Sequence, residues 1–316
     1  MVRFLPPSLA RLVTIALQAR IHKDGMAPGA IGAVDLAGSP ALSAVPPDPL
    51  AYRSSAHAAA TKGQMPEKTS EQKYRYGVRT AVDEAVPPAE ALQRLMDGNE
   101  RFVSGNAEVL KDWDVSKTGA LAEYGQKPMA SVLGCADSRA PVELLFDATP
   151  GDVFVLRNAG NTLSNAEGSM VGSLEFSVNA LGVKLVLVLG HTECGAIKGA
   201  TGAMLNAQKA GAQPAQSTLD TLLAGLSPVV EQAQLDLGGT TSDKEIAGQA
   251  VVVNVFAGIE KLLIYSDSIR EKVKSGEVEV HGAIYDIATG QVEFLGQHPR
   301  LPLILGMQAT YKKPSA

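Results

Sequence analysis

The chain has 316 residues, of which 45% are hydrophobic and 19% are charged, and this composition is typical of a globular protein. Its net charge of -5 offers no basic surface to a phosphate backbone and argues against a nucleic acid partner. No apolar run reaches the roughly 18 residues that span a bilayer, and two cysteines are too few for a disulfide scaffold.

Residues 1–86 differ from the rest, because they are rich in Ala, Pro and Ser and lack sustained apolar periodicity. Four basic residues precede the first acidic residue, Asp24: Arg3, Arg11, Arg20 and Lys23. A basic amphipathic leader of this kind is typical of organellar transit peptides. We therefore expect a targeting segment for a chloroplast or mitochondrion followed by a flexible tail. The alternative is an untargeted tail on a cytoplasmic protein.

Residues 87–316 have the pattern of a single domain. Apolar residues at helical spacing from Ala91 to Met96 predict a helix that weakens at Gly98 and Asn99. Short apolar runs and further helical spacing then predict three buried strands at 129–134, 152–156 and 184–190, with a helix at 168–181 before the third strand.

The C-terminal part of the domain is predicted to add helices and a hairpin. These elements are a helical region with an exposed loop over 203–240, a helix over 246–265, a shorter helix capped at Ser266 or Asp267, and hairpin strands at 278–285 and 291–295. Alternation of strands and helices predicts an α/β fold with a central, mostly parallel β-sheet flanked by helices.

Polar residues follow each of the three predicted parallel strands. Cys135, Asn158 and His191 lie where the carboxyl ends of the strands line a ligand crevice. His191 and Cys194 are three positions apart at the start of a predicted helix. Two thiols and one imidazole suit zinc with a fourth position open for water. The alternatives are two buried thiols or a Cys135–Cys194 disulfide.

An acidic and a basic residue stand close to the first cysteine in the sequence Cys135-Ala136-Asp137-Ser138-Arg139. Asp137 could be the fourth zinc ligand, or it could accept a hydrogen bond from a water on the metal. A bidentate pair with Arg139 would hold Asp137 away from the metal. The alternative is that Asp137 and Arg139 form a surface ion pair with no role at the metal.

Together these motifs resemble those of the β-class carbonic anhydrases. The matching segments are CADSR at 135–139, RNAGN at 157–161, GSLEF at 172–176 and GHTECGA at 190–196. The resemblance implies reversible hydration of carbon dioxide to bicarbonate and a proton, by attack of a zinc-bound hydroxide. It implies Cys135, His191 and Cys194 as zinc ligands and Asp137 with Arg139 as the catalytic pair. It also implies a homodimer or higher oligomer, with an amino-terminal helical extension packing on a partner subunit.

The loop after the second strand is the predicted substrate contact, formed by Asn158, Ala159 and Gly160. Gly160 would let substrate approach the backbone, although turn formation alone explains these residues nearly as well. Arg157 could pair with a structural carboxylate such as Glu175. Two other functions stay open at this point: a non-catalytic bicarbonate-binding or sensing protein, and a zinc hydrolase of a related small electrophile such as carbon disulfide.

Overall fold

The computed structural model describes residues 77–108, 115–163, 168–211, 215–238 and 241–306. The predicted targeting segment therefore lies outside the described residues. Packed residues occur just upstream of the predicted domain start, since Val78 and Thr80 are fully buried. The Arg79 guanidinium donates hydrogen bonds to the carbonyl oxygens of Lys127 and Glu84.

A five-stranded sheet forms the centre of the domain. Its strands are β1 (Ala130–Cys135), β2 (Val153–Asn158), β3 (Leu185–His191), β4 (Glu279–Tyr285) and β5 (Val292–Gln297). The order across the sheet is β2-β1-β3-β4-β5; the first four run parallel and β5 is antiparallel to β4. Every residue of β1 and β3 is buried, which explains their continuous apolar runs. The predicted mostly parallel sheet and the hairpin are confirmed.

Helices cover both faces of this sheet. They are α1 (Pro88–Val103), α2 (Val115–Tyr124), α3 (Val142–Leu145), α4 (Ser169–Asn179), α5 (Gly195–Ala210), α6 (Thr218–Leu237), α7 (Asp243–Tyr265), α8 (Asp267–Lys274) and α9 (Leu301–Leu305). Ser266 caps α8 by accepting a hydrogen bond from the Ile269 N–H. It is one of the two residues predicted to cap this helix. Helices α2, α3 and α9 had no predicted counterpart in the sequence.

Helix α1 continues through Gly98 and Asn99, where the sequence predicted that it would weaken. A Cβ at Gly98 would lie 1.9 Å from the Phe146 carbonyl oxygen, so the glycine permits close packing rather than ending the helix. The Asn99 amide donates to the carbonyl oxygens of Leu145 and Gly290. These contacts anchor α1 to its own chain, and packing of this segment on a partner subunit stays a prediction.

Helix α7 packs along β3 and β4. The backbones approach closely, because a Cβ at Gly190 or Gly282 would lie 2.7 or 2.6 Å from Val255. Among the described residues, α7 is the one helix that is both long enough and apolar enough to cross a membrane. However, 61% of its apolar stretch is buried inside the protein. Burial of this kind is expected of a core helix in an α/β domain.

Candidate metal centre

Two potential metal ligands stand at the ends of adjacent parallel strands, and a third begins the next helix. Cys135 is the last residue of β1, and His191 is the last residue of the neighbouring β3. Cys194 is the N-cap residue of α5. One donor atom from each of these residues lies within 4.8 Å of the other two, and all three residues are buried. The structure thus brings together three of the four residues that the sequence predicted as metal ligands.

The backbone bends sharply between His191 and Cys194. Glu193 has a φ of 60°, a left-handed conformation that is uncommon outside glycine and costs roughly 1–2 kcal/mol. Strained backbone of this kind concentrates at functional sites. Here it allows two ligands separated by only two residues to reach the same cluster.

The donor set fits zinc. The Nδ1 atom of His191 lies 2.8 Å from the Thr192 carbonyl oxygen, which can only accept, so Nδ1 carries the hydrogen and Nε2 keeps its lone pair. The Nε2 atom is buried and has no hydrogen-bond partner among the described residues. Zinc bonds of about 2.3 Å to sulfur and about 2.0 Å to nitrogen put tetrahedral ligand atoms roughly 3.5–4 Å apart, within the observed limit.

The two thiols affect each other's protonation, because they share a hydrogen bond. Both cysteines are free, so the disulfide alternative is wrong. Hydrogen bonds from the Cys194 thiol and from the Gly160 N–H lower the pKa of Cys135 to about 3, although burial opposes the shift. The same contact with Cys135, together with burial, raises the pKa of Cys194. One thiolate is therefore already favoured by the protein, and a thiolate is the form that ligates a metal.

Asp137 is paired with Arg139 at the side of this cluster. The guanidinium donates to both carboxylate oxygens, at 2.9 and 2.6 Å, and also to the Glu193 carbonyl oxygen at 3.2 Å. The Arg139 hydrogen bonds hold the pKa of Asp137 well below its usual range. Asp137 Oδ2 lies 3.9 Å from His191 Nε2. The cluster of donor atoms does not include Asp137, so its predicted role as a metal ligand stays a prediction.

Arg157 supports the backbone that carries the first ligand. Its Nε donates to the Cys135 carbonyl oxygen at 2.8 Å, and its Nη2 donates to the Asp137 carbonyl oxygen at 2.5 Å. Glu175 instead accepts a hydrogen bond from Ser266, so the predicted Arg157–Glu175 pair is wrong. Sequence reasoning missed this role because a guanidinium that binds carbonyl oxygens leaves no charge pattern in the sequence.

The loop of Asn158, Ala159 and Gly160 touches the cluster through its backbone. The Asn158 side chain closes the turn, since it accepts from the Thr162 N–H and donates to the Thr162 carbonyl oxygen. The Gly160 N–H lies 3.3 Å from the Cys135 sulfur. Gly160 has a φ of 74°, and its carbonyl oxygen accepts from Asn254. This loop therefore stabilises the Cys135 thiolate.

Comparison with known proteins matches this fold and site to one family. A family model described as "Carbonic anhydrase" matches residues 130–292. The chain is 33% identical over 204 residues to "Carbonic anhydrase 2" of Mycobacterium tuberculosis, covering 65% of this chain and 91% of that protein. It is 29% identical over 183 residues to "Beta carbonic anhydrase 6, mitochondrial" of Arabidopsis thaliana, covering 57% of this chain and 60% of that protein.

A solved structure extends the likeness to three dimensions. The chain is similar to the crystal structure of the β-carbonic anhydrase CafA of the fungal pathogen Aspergillus fumigatus, with a TM-score of 0.51 and 27% sequence identity. The match covers 69% of this chain and 96% of that one. Cys135, His191 and Cys194 all lie within residues 130–292, which the family model matches.

Proposed function

Because the chain belongs to the β-class carbonic anhydrase family, we propose that it is a zinc lyase that reversibly hydrates carbon dioxide to bicarbonate and a proton. We assign the zinc to Cys135, His191 and Cys194. The observation that carries the proposal is the buried cluster of two sulfur atoms and one imidazole nitrogen beside the Asp137–Arg139 pair.

The catalytic assignment follows from the chemistry of these residues. When bound, zinc supplies a Lewis acid that makes a water molecule nucleophilic near neutral pH. Asp137 is ionised, because hydrogen bonds from Arg139 lower its pKa, so its oxygens can only accept hydrogen bonds. It would orient a nearby water by accepting one of its hydrogen atoms. Arg139 keeps Asp137 in this position through two hydrogen bonds, which also compete with any direct bond from Asp137 to the metal.

We assign the substrate contact to the backbone of the loop that contains Asn158, Ala159 and Gly160. Support comes from the hydrogen bond between the Gly160 N–H and the Cys135 sulfur, because it puts this loop next to the metal donors. The Asn158 side chain is occupied by the turn, which favours a backbone contact over a side-chain contact.

Stopped-flow measurement of carbon dioxide hydration tests the function. We expect hydration by the zinc-loaded protein, loss of the rate after chelation and recovery when zinc is returned. Arg139→Met removes the two hydrogen bonds that hold Asp137 and should lose most of the hydration rate. Arg300→Met, which removes an ion pair with Glu260 away from the cluster, is the matched control and should keep the wild-type rate. Bicarbonate binding without hydration in the zinc-loaded wild type would favour a sensing protein instead.

We also propose that the chain assembles as a homo-oligomer through the edge of β2. This strand is at one end of the sheet, and an unpaired strand edge is a ready template for another chain. Phe176 on α4 is 52% exposed, and its ring lies 6.2 Å from the ring of Phe154 on β2. Phe176→Asp should lower the sedimentation coefficient, whereas an unchanged coefficient would argue against this surface.

The basic leader supports a proposal about location. No acidic residue precedes Asp24, and one relative carries the name of a mitochondrial enzyme. We propose that the segment directs the protein to an organelle. A fluorescent protein fused to residues 1–30 should then accumulate in mitochondria or chloroplasts, and replacement of Arg3, Arg11 and Arg20 by Gln should leave it in the cytoplasm. A cytoplasmic signal for the unaltered fusion would contradict the proposal.

A further inference from the structure

The orientation of His191 depends on a single backbone oxygen. Its Nδ1 donates to the Thr192 carbonyl oxygen at 2.8 Å, and this hydrogen bond selects Nε2 as the atom that faces the cysteine sulfurs. Any movement of the Thr192 peptide would therefore turn the ring relative to Cys135 and Cys194.

The Thr192 peptide is fixed from the opposite side by the hairpin of β4 and β5. The Thr192 N–H donates to the Tyr285 carbonyl oxygen at 2.9 Å. Its hydroxyl donates to Asp286 Oδ1 at 3.2 Å and accepts from the Ile287 N–H at 3.1 Å. Asp286 Oδ1 also accepts a hydrogen bond from the Ala288 N–H at 2.9 Å. The same carboxylate therefore both closes the turn and holds the Thr192 hydroxyl.

These contacts form one continuous chain from the turn to the ligand. Asp286 holds the Thr192 hydroxyl, the Thr192 peptide holds His191 Nδ1, and Nε2 is left for the metal. Thr192 is only partly buried, and Thr192 and Asp286 both line a cavity of about 720 Å³ between α1 and β5. The Thr192 side chain therefore has space around it and does not fill a packed core.

We propose that Thr192 and Asp286 are positioning residues for the metal ligand His191. The proposal rests on the assignment of zinc to this cluster. Hydrogen-bonded partners of ligating histidines orient the ring, and their loss typically lowers metal affinity by about 10–100-fold. Thr192 and Asp286 act on the ring through the backbone of residue 192.

Removal of the Thr192 hydroxyl tests the proposal. Thr192→Val should weaken zinc affinity by about tenfold in competition with a chromophoric chelator, and it should shift the visible absorption bands of the cobalt-substituted protein. Thr192→Ser restores the hydroxyl and should return both measurements to within about twofold of wild type. If Thr192→Val does not fold, Thr192→Ala removes the same hydroxyl with a smaller side chain and should show the same loss.

A second pair of residues provides the matched control. The Thr149 hydroxyl also donates to an aspartate in a turn, Asp152, at 2.7 Å, but it has no contact with a metal ligand. Thr149→Val should reduce the free energy of unfolding and leave zinc affinity and the cobalt spectrum unchanged. The Asp286→Ala variant should weaken zinc binding like Thr192→Val, and the double variant should lose little more than either single one.

The outcomes separate this proposal from the proposed function. Wild-type zinc affinity and an unchanged cobalt spectrum in folded Thr192→Val or Thr192→Ala would overturn the positioning role, while hydration by the wild type would still stand. Additive losses in the double variant would show that Asp286 acts independently of Thr192 and would overturn the connected chain. Failure of the wild type to bind zinc would instead refute the assignment of the metal site.

Discussion

Gly160 offers a sharp test of how the loop after β2 supports the metal site. Its φ of 74° favours glycine, and an added Cβ would lie 3.2 Å from Ala196 Cβ and 3.4 Å from Leu226 Cδ1. A left-handed conformation costs an L-residue roughly 1–2 kcal/mol, and a tight contact adds about 1–3 kcal/mol when neighbours must move. We therefore expect Gly160→Ala to reduce the free energy of unfolding by about 2–5 kcal/mol.

Gly238 at the end of α6 is the matched control. Its φ is 65°, and an added Cβ there would meet nothing within 4 Å. Gly238→Ala should therefore lower the free energy of unfolding only by the cost of the left-handed conformation, roughly 1–2 kcal/mol. The difference between the two variants isolates the packing of the Gly160 loop against Ala196 and Leu226.

The same two variants also distinguish an effect on stability from an effect on zinc affinity. Displacement of the Gly160 N–H would weaken its hydrogen bond to the Cys135 sulfur, a contact that helps to lower the pKa of that thiol. Zinc affinity should then fall by about tenfold in Gly160→Ala, which corresponds to about 1.4 kcal/mol, and stay unchanged in Gly238→Ala. Urea unfolding of the metal-free protein and chelator competition measure the two effects. Equal destabilisation by both variants, with equal zinc affinity, would refute the reasoning.

A close helix contact and a buried histidine give two further predictions about stability. Gly98→Ala would place a Cβ 1.9 Å from the Phe146 carbonyl oxygen and should lower the free energy of unfolding by about 3 kcal/mol. Its control is Gly248→Ala, in a helix with open space at that position, which should raise the free energy of unfolding by about 0.5–1 kcal/mol. A lower free energy of unfolding in both variants would contradict the packing argument. Burial, and then Arg300, lower the pKa of His298 from 6.5 to about 4, so the folded state keeps it neutral while the unfolded state takes up a proton below pH 6.5. The free energy of unfolding is therefore unaffected by this group above pH 6.5 and decreases as the pH falls toward 4, by about 3 kcal/mol in total. His298→Asn retains an acceptor for the Arg300 N–H and should flatten the dependence of unfolding free energy on pH in this window; a slope equal to that of wild type would refute the assignment.

The sheet and the metal ligands could be predicted because their signals are local. Fully buried strands such as β1 and β3 need continuous apolar runs, and residues directly after such strands must lie at one edge of a parallel sheet. Cys135 and His191 stand directly after the predicted runs, so their meeting follows from topology alone. Cys194 follows His191 closely enough to join them.

The supporting contacts could not be predicted, because they join side chains to distant backbone atoms. Arg157 binds two carbonyl oxygens, and Asn99 binds three backbone groups in α3 and the hairpin region. Carbonyl oxygens are present in every residue and leave no mark on the sequence. For the same reason the sequence predicts a weak point of α1 at Gly98, although the close approach of the Phe146 carbonyl oxygen is what requires a glycine there.

Zinc content measured together with the carbon dioxide hydration rate, for wild type, Cys194→Ser and Asp137→Asn, tests the central claim most directly. We predict about one zinc per wild-type chain, severe loss of zinc in Cys194→Ser, and full zinc occupancy in Asp137→Asn with a rate reduced by at least about tenfold. Loss of zinc from Asp137→Asn would make Asp137 a ligand and contradict the account, as would a fully zinc-loaded Cys194→Ser or a wild-type rate in Asp137→Asn.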